Sequence, residues 1–191
     1  MPDIPLIQTA QSILDQVINI GDTVIDATVG NGHDTLYLAN KVGRQGKVYG
    51  FDIQQSALDT CYQRLKDNNV LHQVSLHHAG HEVMPVILPE RLHIEQINAI
   101  MFNLGYLPGG DKAKTTHSST TLSALVFALQ ALKCGGIISL IAYTGHTGGR
   151  EECETIKSWI ATLDQQLYKT SITIPENKNH SPPELVIIRK Q

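Results

Sequence analysis

Short apolar segments alternate with amphipathic segments along most of the chain. Apolar residues that run together or alternate with polar ones predict strands at 23–28, 46–53, 73–78, 97–103, 137–143, 168–174 and 185–189. Between the first five strands and after the fifth, apolar residues recur at helical spacing. This pattern, with a further amphipathic segment before the first strand, predicts helices at 5–19, 33–42, 54–69, 81–88, 119–133 and 150–165. Strands that alternate with helices form a parallel sheet, here with helices on both faces.

The last two predicted strands follow each other without a helix between them, so we expect them to form an antiparallel hairpin. Five strand–helix units and this hairpin make a seven-stranded, mostly parallel sheet of the α/β class. The sequence contains no internal repeat, low-complexity tract or convincing domain boundary. We therefore predict one domain over residues 1–191, a length that suits a full hydrophobic core.

Composition narrows the setting in which the protein works. Hydrophobic residues make up 41% of the chain, and no apolar run approaches the roughly 20 residues of a membrane span. The first five residues lack the basic and apolar segments of a signal peptide. Three widely spaced cysteines without a CxxC pair predict neither a disulfide framework nor a metal site. We expect a cytoplasmic protein without a membrane partner.

The formal net charge of −3 argues against a broad surface for polyanions. No DNA partner is expected on this basis, although a small basic patch remains compatible with the charge. Nine histidines are many for this length, and several fall at predicted strand ends. Ligands of open α/β sheets usually bind at the carboxyl ends of strands.

A glycine-rich turn follows the first predicted strand and opens the next helix. Gly30-Asn31-Gly32 resembles part of a dinucleotide fingerprint, but Thr35 stands in place of the third glycine, and Asp26 would repel a pyrophosphate. A nicotinamide oxidoreductase is therefore disfavoured. Residues 26–32 instead resemble the first motif of class I S-adenosylmethionine-dependent methyltransferases. An ordinary tight turn between strand and helix is the alternative.

Two more strand ends carry candidate ligands of that cofactor. Asp52 closes the second strand about twenty residues beyond the turn, where a carboxylate suits the two ribose hydroxyls. Capping of the helix near Gln54 is the alternative role. Gly80 and His81 follow the third strand, where this fold usually contacts the adenine. His81 is equally explained by helix capping.

The fourth strand ends in a stretch with the chemistry of an amine site. Residues 103–108, Asn-Leu-Gly-Tyr-Leu-Pro, resemble a variant of the [Asn/Asp]-Pro-Pro-[Tyr/Phe] motif of amine-directed methyltransferases, with Leu104 and Gly105 in place of the prolines. The Asn103 amide oxygen and the Leu104 carbonyl would accept the N–H bonds of an amine, and Tyr106 would stack on a planar base. Asn103 as an ordinary strand terminator is the alternative.

The following polar loop and the fifth strand end supply further candidates. Lys112 and Lys114 would meet phosphates, and Asp111 would hold an amine or act as a base. His146 follows the fifth strand between glycines, with Arg150 close behind it. A structural role for this histidine is an equally good interpretation. The sequence does not choose among Asp111, His146 and a water as the proton acceptor.

Three motifs in order carry a family resemblance that covers nearly the whole chain: residues 26–35, 103–112 and 145–152. Together they are similar to a small bacterial family long labelled putative rRNA methylase. The resemblance implies an S-adenosylmethionine-dependent enzyme that methylates the amine of 5-aminomethyl-2-thiouridine at the tRNA wobble position and releases S-adenosylhomocysteine. An rRNA or small-molecule amine methyltransferase, and a non-catalytic module with a decayed methyltransferase fold, are the alternatives.

The resemblance and the strand-end residues together define a predicted site. The predicted cofactor-binding residues are Asp26, Thr28, Gly30, Asn31, Gly32, His33, Asp34, Asp52, Ile53, Gly80, His81, Asn103 and Leu104. The predicted catalytic residues are Asn103, Tyr106, Asp111 and His146, and the predicted substrate-binding residues are Leu104, Gly105, Tyr106, Lys112, Lys114 and Arg150. The partner would be a tRNA anticodon loop, whose wobble base lies in a single strand. A homodimer would enlarge the RNA surface, and no sequence feature tests it.

Overall fold

The computed structural model of the chain describes residues 6–105, 115–175 and 181–191. Its strands are β1 (Thr23–Asp26), β2 (Lys47–Asp52), β3 (Val74–His78), β4 (Ile97–Leu104), β5 (Leu132–Ala142), β6 (Tyr168–Thr173) and β7 (Glu184–Lys190). Its helices are α1 (Leu6–Leu14), α2 (His33–Val42), α3 (Gln55–Asp67), α4 (Met84–Ile87), α5 (Ser118–Ala131) and α6 (Gly149–Ile160).

The strands form one sheet in the order β3-β2-β1-β4-β5-β7-β6. The first five strands run parallel, and β7 lies antiparallel between β5 and β6. The predicted seven-stranded, mostly parallel sheet with a C-terminal antiparallel hairpin is therefore confirmed. Because the strand order reverses between β1 and β4, the carboxyl ends of these strands border a crevice where ligands of α/β sheets bind.

Helices cover both faces of the sheet, as predicted. Ile100 and Phe102 of β4 belong to a buried cluster that includes side chains of α4, α5 and α6. Ala99 and Met101, which alternate with them, belong to a second cluster with side chains of α1, α2 and α3. A central parallel strand is buried on both faces for this reason, which explains the continuous apolar run in the sequence of β4.

Several element boundaries differ from the predicted ones. The first helix ends at Leu14, and residues 15–18 continue as turns whose hydrogen bonds reach back three or four residues. The predicted helix at 81–88 consists of a 3₁₀ turn and the short α4, which has a proline in its first turn. β5 begins at Leu132, five residues earlier than predicted, because Leu132 pairs with Ile97 across a register shift.

Two glycines shape the turn after β1, and one of them, Gly32, also has a packing role. Both have positive φ, 52° at Gly30 and 76° at Gly32, a region that favours glycine. A Cβ on Gly32 would lie 2.6 Å from Cys61 Sγ and 2.8 Å from Cys61 Cα. Gly32 therefore lets α2 and α3 approach each other directly, which is a packing role.

No helix in the described part of the chain is long and apolar enough to cross a membrane.

We predict that Gly32→Ala lowers the free energy of unfolding by about 2–4 kcal/mol. Roughly 1–2 kcal/mol of this comes from the left-handed backbone, and the remainder from overlap with Cys61. Gly135→Ala is the matched control, because Gly135 has φ 79° and open space around its Cβ position. Urea unfolding of both variants separates the cost of the left-handed backbone from the cost of the overlap with Cys61. Equal losses in the two variants would show that α3 yields to the added methyl group.

Candidate active site

A cavity of about 1020 Å³ lies at the carboxyl ends of the parallel strands. Its lining includes candidate site residues from the ends of several strands, which are far apart along the chain. The predicted site residues that line it are Thr28, Gly30, Asn31, His33, Asp34, Asp52, Ile53, Gly80, His81, Asn103, Gly105 and His146. A volume of this size accommodates a nucleoside-like ligand together with part of a second reactant.

The Asp52 carboxylate holds the glycine turn at one end of the cavity. Its Oδ2 accepts a hydrogen bond from Gly30 N at 2.8 Å, and its Oδ1 accepts one from Gln54 N at 2.8 Å. A carboxylate offers about four lone-pair positions, so it retains capacity for ligand hydroxyls. The two roles considered for Asp52, support of the chain before α3 and ribose binding, are therefore compatible. Ribose binding stays a prediction.

Asp26 lies behind the glycine turn and does not line the cavity. Its buried carboxylate accepts hydrogen bonds from Thr35 Oγ1 at 2.6 Å and from Thr28 N at 3.2 Å. Burial, followed by the neighbouring charge of Asp34, raises the pKa of Asp26 to about 7. The residue shapes the turn and does not contact the space in which a ligand would lie.

Asn103, at the carboxyl end of β4, is oriented by a carboxylate. Its Nδ2 donates a hydrogen bond to Asp34 Oδ2 at 2.8 Å, while Gln11 Nε2 of α1 donates one to Asp34 Oδ1 at 3.1 Å. A carboxylate can only accept, so the amide turns its N–H₂ group toward Asp34. Asn103 Oδ1 is then buried, with no hydrogen-bond partner among the described residues. An unsatisfied buried acceptor costs about 1–3 kcal/mol, and a ligand N–H would remove that cost.

Thr28 connects the glycine turn to β4. Its backbone N–H donates to Asp26, and its Oγ1 accepts a hydrogen bond from Asn103 N at 2.6 Å. The backbone of Asn103 is thus held by the turn, and its side chain is held by α2 through Asp34. Two separate elements fix the amide in position.

His146 lines the cavity after the end of β5, and Gly149 leaves room for its ring. Its Nδ1 is 3.0 Å from Thr147 O and 3.4 Å from Thr115 Oγ1. A Cβ on Gly149 would lie 2.6 Å from His146 Nε2, and one on Gly105 would lie 3.5 Å from it. Gly149 at the start of α6 therefore leaves room for the imidazole, whereas the distance at Gly105 is an ordinary van der Waals contact.

A buried polar cluster supports the wall between α5 and α6. The Glu152 carboxylate accepts hydrogen bonds from Thr116 Oγ1 and Thr121 Oγ1, each at 2.7 Å. Thr121 Oγ1 also lies 3.5 Å from His81 Nε2. Burial lowers the pKa of His81, and this effect is larger than the opposite effect of the charges of Glu82 and Glu152, which raise the pKa. These contacts fix the start of α5 beside the cavity.

Other predicted site residues are placed differently. Gly32 and Leu104 do not line the cavity, and Leu104 O accepts a hydrogen bond from Tyr143 N at 3.1 Å within the β4–β5 ladder. This carbonyl has a second lone pair, so the amine contact expected at Leu104 stays a prediction. Arg150 does not line the cavity, but its Nη2 lies 3.5 Å from the Oγ of Ser181, which does. The predicted site residues Tyr106, Asp111, Lys112 and Lys114 lie outside the described residues.

Part of the cavity wall was missed by sequence reasoning. Ile7 of α1 and Tyr143 after β5 line it, as do polar side chains around the start of α5, namely Thr115, Thr116, His117 and Thr120. Tyr143 ends a predicted strand and was identifiable on that ground. Ile7 belongs to an ordinary amphipathic pattern, which gives no sign that α1 reaches the cavity. In the described part of the chain, no group of three His, Cys, Asp or Glu side chains is placed to hold a metal ion.

Comparison with known proteins identifies the family. The family described as putative rRNA methylase matches residues 48–189. This chain belongs to that family. The match covers β2 to β7 and includes two of the three motifs that carried the resemblance in the sequence.

Solved structures of the family share the whole fold. A protein described as a putative rRNA methylase from Clostridium thermocellum is 38% identical, with 97% of each chain covered and a TM-score of 0.91. A putative methyltransferase from Streptococcus mutans, solved in complex with SAH, is 34% identical, with both chains fully covered and a TM-score of 0.88. The fold is therefore that of the class I S-adenosylmethionine-dependent methyltransferases, as predicted.

A curated relative has a more specific name. The chloroplastic tRNA (mnm(5)s(2)U34)-methyltransferase of Arabidopsis thaliana is 44% identical over 160 residues, which are 80% of this chain. This chain spans 57% of the length of that relative.

We predict that Asp26→Asn changes the pH dependence of stability. The folded-state pKa of Asp26, about 7, lies above its ordinary value of 3.8. Its contribution is therefore fully present below pH ~4 and is lost as the pH rises through about 7, by at most ~1.4 kcal/mol per pH unit. The unfolding free energy of the variant relative to wild type should rise between these limits, as denaturant titrations at several pH values would show. A constant difference would contradict the raised pKa.

Proposed function

We propose that this chain is an S-adenosylmethionine-dependent tRNA methyltransferase. Its substrate would be 5-aminomethyl-2-thiouridine at the wobble position, and its product the 5-methylaminomethyl nucleoside. The observation that carries the proposal is the Oδ1 of Asn103, a residue that lines the cavity: this oxygen is buried and has no hydrogen-bond partner among the described residues. The choice of substrate is supported by the name of the Arabidopsis relative, a tRNA (mnm(5)s(2)U34)-methyltransferase. The family description names rRNA, which is therefore the competing acceptor.

The residues present fit the cofactor. The turn from Thr28 to Asn31 presents bare backbone to the cavity, and Asp52 lies beside it with lone pairs to spare. Ile53, 48% exposed, offers an apolar surface at the same end. The carboxylates of Asp34, Asp52 and Glu82 on the wall suit a ligand that carries positive charge. S-adenosylmethionine has this charge, since it combines a sulfonium with an ammonium group.

When bound, S-adenosylmethionine supplies an electrophilic methyl group. The chain's own contribution is to hold the acceptor amine in line with it. Asn103 Oδ1 would accept one N–H of the amine, because Asp34 fixes the amide with its oxygen turned away from the carboxylate. Since Asn103 is held at both its backbone and its side chain, little reorganisation is needed when the substrate arrives.

The amine must lose a proton before it can react. An alkyl ammonium has a reference pKa near ~10, and desolvation in the cavity lowers that value. Of the acceptors predicted from the sequence, His146 lines the cavity, whereas Asp111 is outside the described residues. We infer that His146, directly or through a water, receives the proton at an imidazole nitrogen.

The proposed RNA substrate has its reactive base in a single-stranded loop, so no duplex has to be opened. The anticodon-loop partner, the homodimer, the single-domain organisation and the cytoplasmic location all stay predictions.

Methyl transfer from labelled S-adenosylmethionine tests the proposal. The acceptors are tRNA carrying 5-aminomethyl-2-thiouridine, the same tRNA without the modification, ribosomal RNA and a small alkyl amine. We expect label only in the first, recovered as 5-methylaminomethyl-2-thiouridine after nucleoside analysis. Label on ribosomal RNA alone would show that the substrate is rRNA and not tRNA. Binding of S-adenosylmethionine without transfer to any acceptor would indicate a non-catalytic module.

The two proposed roles separate in two variants. Asn103→Ala should lower turnover at least ~10²-fold, because it removes the acceptor of the amine N–H, and should leave the affinity for S-adenosylhomocysteine within a few-fold. Asp52→Ala should weaken S-adenosylhomocysteine binding first, because it removes the ribose acceptor and the support of Gly30. Calorimetry and initial rates measure both effects.

Matched controls are available on the surface. Asn40→Ala and Asp59→Ala remove the same side chains from exposed positions on α2 and α3, and neither residue lines the cavity. Both controls should retain turnover and affinity. Wild-type turnover in Asn103→Ala would remove Asn103 from the mechanism, and unchanged affinity in Asp52→Ala would do the same for the ribose role.

A further inference from the structure

A second cavity of about 490 Å³ lies at the opposite edge of the sheet, where the parallel strands begin. Its lining comes from the starts of β1, β2, β4 and β5 and from the 3₁₀ turn before β4. The residues are Gly21, Asp22, Thr23, Gln45, Gly46, Lys47, Tyr49, Arg91, Leu92, Gln96, Asn98 and Lys133. The proposed methyl transfer uses none of them.

Three cationic side chains surround this cavity: Lys47, Arg91 and Lys133. Within the part of the chain that the structure describes, none of them forms an ion pair. Lys41, Lys157 and Lys190 each pair with a carboxylate, whereas Lys66 and Lys169 form no ion pair with a described residue. Among the described residues, the one acid that lines the cavity is Asp22, whose Oδ2 accepts a hydrogen bond from Asn19 N. The cavity therefore combines an excess of positive charge with a polar lining.

The Asn98 side chain adds an acceptor. Its Oδ1 is buried and has no hydrogen-bond partner among the described residues. The amides of Gln45 and Gln96 lie on the same lining and can donate or accept. A ligand that carries both an anionic group and a hydroxyl group would use the cations and the Asn98 oxygen together.

We propose that this second cavity binds the ribose-phosphate backbone of the RNA substrate, at a point distant from the base that is methylated. The proposal rests on the proposed function for the identity of the RNA. Phosphate groups would lie against Lys47, Arg91 and Lys133, and a ribose 2′-hydroxyl would donate to Asn98 Oδ1. Contacts to phosphates and 2′-hydroxyls are the usual means by which proteins hold structured RNA.

The separation of the two cavities suits a macromolecule. β2 begins at Lys47, which lines the second cavity, and ends at Asp52, which lines the first. Five residue steps of about 3.3 Å place them roughly 17 Å apart. A tRNA is much longer than this distance, so one molecule can contact both edges of the sheet. The local cluster of cations also reconciles RNA binding with a chain whose net charge is −3.

The three cations come from segments that are remote in sequence. Lys47 begins β2, Arg91 belongs to the 3₁₀ turn at Glu90–Leu92, and Lys133 lies near the start of β5. Lys47 Nζ also lies 5.9 Å from the ring centroid of Tyr49, a contact that leaves its charge in place.

The test compares Lys47→Ala/Arg91→Ala/Lys133→Ala with a control that removes the same charges elsewhere. Lys66→Ala/Lys169→Ala/Arg189→Ala is matched in type, because these cations line neither cavity and form no ion pair with a described residue. Fluorescence anisotropy measures the affinity of each protein for tRNA at several salt concentrations. We expect the cavity variant to bind at least ~10-fold more weakly at about 50 mM salt, with a salt slope reduced by about 2.

Thermal unfolding and S-adenosylhomocysteine affinity check that the cavity variant is folded. Equal tRNA affinity in the cavity variant and the control would overturn the proposal. Loss of inorganic phosphate binding with unchanged tRNA affinity would also overturn it, in favour of a small-anion site. Because anisotropy does not require methyl transfer, tRNA that binds through these cations but is never methylated would contradict the proposed function and leave this site in place.

Asn98→Ala tests the hydroxyl contact separately. We expect the preference for an RNA hairpin over a DNA hairpin of the same sequence to fall several-fold in this variant, with the salt slope unchanged. An unchanged preference would remove the 2′-hydroxyl from the proposal.

Discussion

A hydrogen bond between the Asn103 amide and the Asp34 carboxylate joins the two halves of the active-site cavity. Asp34 belongs to the helix after the glycine turn, whereas Asn103 ends the neighbouring central strand. The same carboxylate is held by Gln11 of the first helix, and the Asn103 backbone is held by Thr28. Three segments far apart in sequence thus meet at one side chain. The chemistry proposed for the amide depends on all of them being in place.

The concentration of carboxylates around the glycine turn also decides which ligands suit the cavity. Asp26 and Asp34 lie close enough for the charge of Asp34 to raise the pKa of Asp26. Asp52 adds a third acid, held by the Gly30 N–H that would bind a pyrophosphate in a dinucleotide-binding protein. A turn occupied in this way disfavours phosphates and favours hydroxyl and cationic groups. In the sequence, Asp26 and the replacement of the third glycine by Thr35 separated the methyltransferase interpretation from the oxidoreductase interpretation.

The strand ends were predictable because their signal is local. Asp52, His81, Asn103 and His146 each follow an apolar segment, and parallel topology brings such positions to one edge. The partners of these residues were not predictable. Nothing in the sequence pairs Asp34 with Asn103 across 69 positions, and the packing of Gly32 against Cys61 depends on how two helices meet. The hydrogen bond from Tyr143 N to the Leu104 carbonyl was likewise not predictable, because it depends on the register of two strands.

The order of the strands has a consequence for biosynthesis. β5 pairs with β7, so the strand that follows it in the chain, β6, occupies the outer edge instead. Until residues 184–190 have been synthesised, the apolar β5, with Ile138, Leu140 and Ile141, has an unpaired edge. An exposed apolar edge is a template for pairing with other chains. The nascent protein is therefore most in need of chaperone protection during the interval between translation of β5 and translation of β7.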